Sequence, residues 1–314
     1  MSQSGGMFLS SLPATGAERR LGLIVTLVSL AVFLVAIPFA KVGLAHIDAF
    51  IPAYDSAILI NDMITAVLLF GQFTLMGKRG LMILASGYLF TSLMALAHLL
   101  SFPGLLTPTG WLSGGSQTTV WLYMFWHAGL PVAVLAYIRQ RNGTYTAPLA
   151  ANGNGNGNGG HDRRSPVMLA VAFALGLVAI VVLLTTAGHD LMPTLLVPVD
   201  GHADYSLVYR VVLGAICALS AFNVLMLWRR KSHSVLDLWL MVVMCAWVCD
   251  IALSAMLNER RFDLGFYVGR LYGLMAASFI LLVLLVETRT LFSRLAHSLE
   301  RQRGDAIRRA EELA

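Results

Sequence analysis

Eight apolar runs, each roughly 20 residues long, dominate the chain: Leu21 to Val42, Ala57 to Met76, Leu81 to Leu100, Thr118 to Ile138, Pro166 to Ala187, Leu207 to Trp228, Val235 to Met256 and Leu264 to Val286. At about 1.5 Å per residue, such a run crosses the hydrocarbon core of a bilayer as one α-helix. None alternates with the period of two that a barrel strand requires, and each is about twice a barrel strand's length. The pattern predicts an all-α, polytopic membrane protein with eight transmembrane helices. A polar leader ending in Glu18-Arg19-Arg20 precedes the first run, which is too long for a signal-peptide core and reads as a retained anchor.

Between the fourth and fifth runs, Asn152 to Gly160 contains only Asn and Gly, a tract that forms no core and behaves as a flexible tether. It separates two sets of four spans whose loop lengths correspond, as expected for a 4+4 parallel repeat about an axis along the membrane normal. The third spans of the two sets place His98 and Asp250 at comparable points. Beyond Val286 the composition becomes highly charged, while Leu285, Phe292, Leu299, Ala306 and Leu313 recur every seven residues with Leu295 and Ala310 at companion positions. That repeat is the seam of a two-helix coiled coil, so the last span is expected to continue as a helix into a parallel homodimer; an amphipathic helix on the inner leaflet is the competing expectation. The resulting division is a leader over 1–20, a membrane-embedded domain over 21–290 with a flexible loop at 143–165, and a signalling helix over 291–314.

Composition agrees with the runs. Of the 314 residues 57% are hydrophobic and only 12% charged, half the charged share of a soluble domain, which is about 25%. Basic residues then set the expected orientation, because Lys and Arg flanking a span are retained on the cytoplasmic side. With both termini cytoplasmic, 17 of the 22 basic residues fall on inner loops, inner span ends or the tail. Lys41, Arg260 and Arg261 fall outside, and Arg210 and Arg270 within spans. The net charge of +5 therefore reports topology and attraction to membrane lipids of the inner leaflet, and implies no nucleic-acid partner. Cys217, Cys245 and Cys249 all lie in spans, away from disulfide chemistry.

Ionisable side chains inside a bilayer are costly and mark function by default. The second span carries Asn61 and Asp62, the third Tyr88 and His98, the fourth Tyr123 and His127, the sixth Arg210, the seventh Asp250, and the last Tyr267, Arg270 and Tyr272. Most fall near the outer boundary, which predicts a polar cavity there, walled by Trp121, Trp126, Trp247 and Tyr272. Asp250 is expected to pair with Arg270 and Asp62 with Arg210, either as a responsive unit or as ion pairs that fix helix register. His98 and His127 are open to three roles: hydrogen-bonded structure, titration or ligand contact, and axial ligation of haem or copper.

No Walker loop, kinase nucleotide motif, Gly-x-Ser-x-Gly elbow or His-Glu-x-x-His occurs, so the chain itself carries no evident enzyme site. Several stretches together nevertheless form a recognisable set: Ala49-Phe-Ile-Pro-Ala-Tyr-Asp-Ser through Asn61-Asp-Met-Ile-Thr65, Leu69-Phe-Gly-Gln-Phe73, Gly87-Tyr-Leu-Phe-Thr91, Ala97-His-Leu-Leu-Ser-Phe-Pro-Gly104, Gln117-Thr-Thr-Val-Trp121, Trp126-His127 and Gly269-Arg-Leu-Tyr272. With these, the chain resembles the fourth type of membrane-associated sensor (MASE) domain over about residues 20 to 290. The resemblance implies a multi-pass input domain of the bacterial inner membrane, normally N-terminal to a histidine kinase or a diguanylate cyclase. The chain stops at Ala314 without such an effector, which leaves a truncated piece and a stand-alone input module as the two expectations. A transporter or channel, and a haem- or quinone-binding redox protein, are the alternatives.

Overall fold

The computed structural model describes residues 13–105, 107–112, 114–115, 117–140, 164–199, 202–230, 233–259 and 261–312. Its helices are α1 (Gly16–Ala36), α2 (Phe50–Met76), α3 (Arg79–Ser101), α4 (Thr118–Gln140), α5 (Arg164–Thr185), α6 (Leu207–Trp228), α7 (Val235–Ile251) and α8 (Leu264–Glu312). All eight are long and apolar enough to cross a membrane. Local signals set their ends. Thr15 and Glu18 form a capping box at the start of α1, as do Ser234 and Asp237 for α7, satisfying backbone N–H groups that the first turn leaves without partners. At the end of α2 the chain turns at Gly77, whose φ of 68° suits a residue without Cβ.

Two boundaries differ from the hydrophobic pattern. Helix α2 begins at Phe50, well ahead of Ala57, since Pro52 is tolerated in a first turn and Tyr54 and Asp55 are buried despite interrupting the apolar run. Helix α1 stops at Ala36, and Pro38 sits in a short 3₁₀ turn, Ile37–Phe39. After Asp250, α7 loosens into a π-helical turn, Ala252–Leu257.

Helices α2, α3 and α4 pack in chain order, as do α6, α7 and α8. The two sets interlock: α1 lies on α7 and α5 on α3, while α2 meets α8 and α4 meets α6. Helices α3, α4 and α7 are the most buried, whereas α1 and α5 present apolar side chains such as Leu23, Ile24, Leu169 and Phe173 outward, the surface a bilayer would cover.

One end of the bundle is closed by connections. An antiparallel hairpin, β1 (Leu196–Val199) and β2 (His202–Tyr205), folds there between α5 and α6. The α1–α2 and α7–α8 connections pair through a bridge between Gly43 and Asp263, with Leu264 N–H donating to Val42 O at 2.8 Å. The other end carries the tight α2–α3 and α6–α7 turns. From the hairpin end, α8 runs unbroken for 49 residues, about 74 Å at 1.5 Å per residue. Phe292, Leu295, Leu299 and Ala306 lie on its helical backbone with side chains outside the described residues, as Leu313 and the Asn/Gly tract are altogether.

Candidate functional site

The polar side chains near the hairpin end converge on two carboxylate–imidazole pairs, each spanning two helices. On α2 and α3, Asp55 Oδ2 accepts a hydrogen bond from His98 Nδ1 at 2.7 Å, and both side chains are buried. On α4 and α7, His127 Nε2 stands 3.3 Å from Asp250 Oδ2, while its Nδ1 lies 2.9 Å from the carbonyl of Tyr123. Both nitrogens of His127 therefore face acceptors, and satisfying both bonds requires a proton on each nitrogen or one on the Asp250 carboxyl. Trp126 joins the pairs, its ring 5.6 Å from that of His98 and 5.0 Å from that of His127. Trp247 closes the other side and donates from Nε1 to His127 O at 3.0 Å.

The π turn extends this network. Ser254 donates to Asp250 Oδ1 at 3.0 Å and shares a 3.0 Å hydrogen bond with Tyr123 Oη. Asp250 and Ser254, four residues apart, share one face of α7 and its π turn toward α4, and π turns recur at functional sites.

Helix α8 reaches the cluster through its glycines. A Cβ on Gly269 would lie 2.6 Å from Ser254 Cβ and 2.8 Å from Asp250 O, and one on Gly273 would lie 2.4 Å from Tyr54 Oη and 2.8 Å from Asp250 Oδ2. Small residues four apart let transmembrane helices approach this closely. Between these glycines, Arg270 turns inward over the ring of Phe266, 3.9 Å from its centroid, with Tyr123 and Tyr54 at 5.4 and 5.8 Å. Its side chain is buried, and among the described residues Nε and Nη1 have no hydrogen-bond acceptor.

The expected Asp250–Arg270 ion pair is therefore corrected: the two belong to one cluster, but Asp250 takes His127 and Ser254 as partners. The expected Asp62–Arg210 pair is corrected as well. Asp62 accepts from Thr91 Oγ1 at 2.7 Å inside the α2–α3 interface, beside buried Tyr88, whereas Arg210 lines a recess at the hairpin end with Lys41 and Glu259. Asn61 ties α2 to α8, donating to Ser278 Oγ at 3.0 Å. Of the expected aromatic wall, Trp126 and Trp247 line the cluster. Trp121 instead donates to Pro193 O at 3.3 Å, and Tyr272 donates to Ser29 O on α1. Tyr267 holds the α1–α2 connection, donating to Ala45 O at 2.8 Å.

The geometry does not suit an axial haem pair, since His127 commits both nitrogens within the protein, although His98, bonded through Nδ1 alone among the described residues, keeps Nε2 uncommitted. Among the described residues no three His, Cys, Asp or Glu side chains gather as metal ligands. Nor is the opposite end devoid of buried polar groups: Gln72 donates to Glu287 at 2.7 Å, and Tyr137 donates to Asp237 at 2.8 Å.

Asp55 and Tyr54 stand in the motif set that carries the family resemblance but not among the candidate site residues, because they precede the apolar run, and Ser254 is unremarkable alone. The signal that marks them is the four-residue spacing of Gly265, Gly269 and Gly273, which declares where α8 touches its neighbours.

Beneath the hairpin, a cavity of about 80 Å³ opens beside this cluster, lined among others by His98, Tyr123, Asn258, Arg261 and Arg270. Arg261 stands at the edge, 5.3 Å over the ring of Phe102. Protein packed around its guanidinium draws its pKa below the ordinary arginine value, and the charge of Arg270 acts in the same sense.

Comparison with known families identifies a match over most of the chain. Residues 45–292 fit the family MASE4, membrane-associated sensor, integral membrane domain. No curated protein and no solved structure matches the chain.

Proposed function

Because the chain belongs to the MASE4 family of membrane-associated sensor domains, we propose that it is a sensory input domain whose stimulus acts at the hairpin-end cluster and whose output leaves through α8. The observation that carries this reading is the continuity of α8. Gly269, Arg270 and Gly273 pack into the cluster at one end, and the same helix extends 23 residues beyond its membrane-spanning part, which closes at Arg289. A change in packing around Arg270 would reach the far end without crossing a loop.

In this reading both termini are cytoplasmic in the bacterial inner membrane, supported by the basic residues at the end opposite the hairpin. The interlocked packing of α1–α4 with α5–α8 supports a fourfold-helix duplication: each half places its first helix on the other's third and its second against the other's fourth. The seven-residue repeat after Val286 supports a homodimeric rod feeding a histidine kinase or diguanylate cyclase. Membrane lipid tails would occupy the apolar cavity of about 910 Å³ between α3, α4 and α5.

The test joins the chain to a cytoplasmic reporter kinase and inserts residues after Thr290. One inserted residue rotates everything beyond it by about 100°, so insertion of one or two residues should invert or abolish output and insertion of seven should restore it. Output unaffected by any insertion would refute transmission through α8.

A further inference from the structure

We infer that the cavity beneath the hairpin binds a small carboxylate anion, held by the guanidinium of Arg270; the inference rests on the sensory reading above and specifies the class of its ligand. Three observations lead there.

First, Arg270 is 7% exposed, lines the cavity, and has Nε and Nη1 buried without an acceptor among the described residues. A buried cation in a membrane protein ordinarily finds a carboxylate or backbone carbonyl, yet neither nearby carboxylate pairs with it: Asp55 bonds His98 through Oδ2, and Asp250 bonds His127 and Ser254. Among the described residues no acidic oxygen lies within 4.0 Å of Arg270. A guanidinium with its donors unmet is the complement of a carboxylate, which can accept two parallel hydrogen bonds from it.

Second, the basic residues at this end of the molecule are not scattered. Arg261 and Arg270 line the cavity, while Lys41 and Arg210 line a recess of about 400 Å³ that shares Tyr205, Tyr209, Ala255 and Asn258 with it. Every described Lys or Arg that the positive-inside count leaves off the basic end therefore borders one of two adjoining cavities. One acidic residue, Glu259, lines the recess. Basic groups along an approach raise the local concentration of anions.

Third, the walls select among anions. Volume limits the ligand to about five to eight water-sized positions at about 10–15 Å³ each. Phe102, Phe266 and Leu196 face the same space as Arg270. A short carboxylate presents one charge to the guanidinium and an apolar tail to these rings, whereas a phosphate would lose water on every side against them.

Propionate is the probe, propionamide its uncharged counterpart and inorganic phosphate the competing anion. Calorimetric titration of the purified full chain in lipid nanodiscs, at constant ionic strength, should show saturable binding of propionate and none of propionamide or phosphate. Arg270→Gln should weaken propionate at least tenfold. Leu196→Trp, which fills the cavity from the hairpin without altering a helix, should do the same and serves if the first variant fails to fold. Equal binding of propionamide, tighter binding of phosphate, or unchanged affinity in both variants would overturn the proposal. Binding is read on the chain alone and helix phase on the reporter fusion, so loss of the anion site and loss of the sensory reading give different results.

Discussion

Replacing Gly269 by alanine tests the close approach of α8 to α7 and can be given a sign in advance. The new methyl carbon would stand 2.6 Å from Ser254 Cβ, 2.8 Å from Asp250 O and 2.8 Å from Ser254 N. Ordinary carbon contacts fall at about 3.5–4.0 Å, so α8 must withdraw by several tenths of an ångström. Two of the three obstacles are backbone atoms, which cannot rotate away. Overpacking of this kind costs about 1–3 kcal/mol. Gly214 on α6 is the control, because a Cβ there meets nothing within 4 Å. Alanine at either position gains roughly 1 kcal/mol of helix propensity, so the difference between the two variants isolates the clash at about 1–3 kcal/mol. Gly214→Ala should be stabilising and Gly269→Ala neutral to destabilising, read from unfolding midpoints in mixed micelles titrated with sodium dodecyl sulfate and followed by far-UV circular dichroism. Equal shifts of the two variants would show that α8 does not seat against the π turn as described.

The Asp55–His98 pair predicts strong coupling. Asp55→Leu and His98→Leu should each cost about 3–5 kcal/mol by stranding a buried partner, and the double variant should cost less than the two together by more than about 1 kcal/mol; simple additivity in the same unfolding assay would contradict the pairing. Asp62 accepts one hydrogen bond from Thr91, and no basic side chain among the described residues bonds to it. An amide can replace its carboxyl there, so Asp62→Asn should stay within about 1 kcal/mol of the parent. A loss above about 3 kcal/mol would mean that its charge is used.

Helix number, length and order were legible in the sequence because a bilayer imposes one rule that every span must obey, about 20 apolar residues with all backbone bonds internal. Which helices touch was legible only in part: the most apolar spans, α1 and α5, are the most exposed and the less apolar α3 and α4 are largely buried, yet α6 and α7 share a mean hydropathy of 2.2 and differ widely in burial. The same limit governed the site. Rarity of charge pointed correctly to Asp62, His98, His127, Asp250 and Arg270 as buried, but depth along a helix says nothing of direction around it. Asp250 and Arg270 lie at similar depth and still do not pair, Asp250 taking His127 on α4 and Ser254 as its partners. Arg210 shares that depth as well but faces the recess and lies exposed.

Arg270 is one of the places where the polar accounting of the cluster fails to close, with Asp55 Oδ1 and Trp126 Nε1, and as the only arginine among the cluster's described residues it gives a last prediction. Its buried Nε and Nη1 lack acceptors among the described residues, and a charge held this way in a low-dielectric interior costs several kcal/mol. Stacking on Phe266 at 3.9 Å returns about 2 kcal/mol. Arg270→Met keeps the length and apolar stem, removes the charge, and should raise stability by about 1 kcal/mol or more, as replacement of buried ionic groups by packed hydrophobes commonly does. If Arg270 were only a structural anchor, the same change would be destabilising. The two outcomes separate a side chain that holds the fold from one retained at a cost to stability. The second is what a receptor needs, since a ligand shifts the packing of α8 only by as much as it binds one arrangement better than the other, typically 1–3 kcal/mol for coupled sites. An arginine whose donors are satisfied only when an anion arrives supplies a difference of that size.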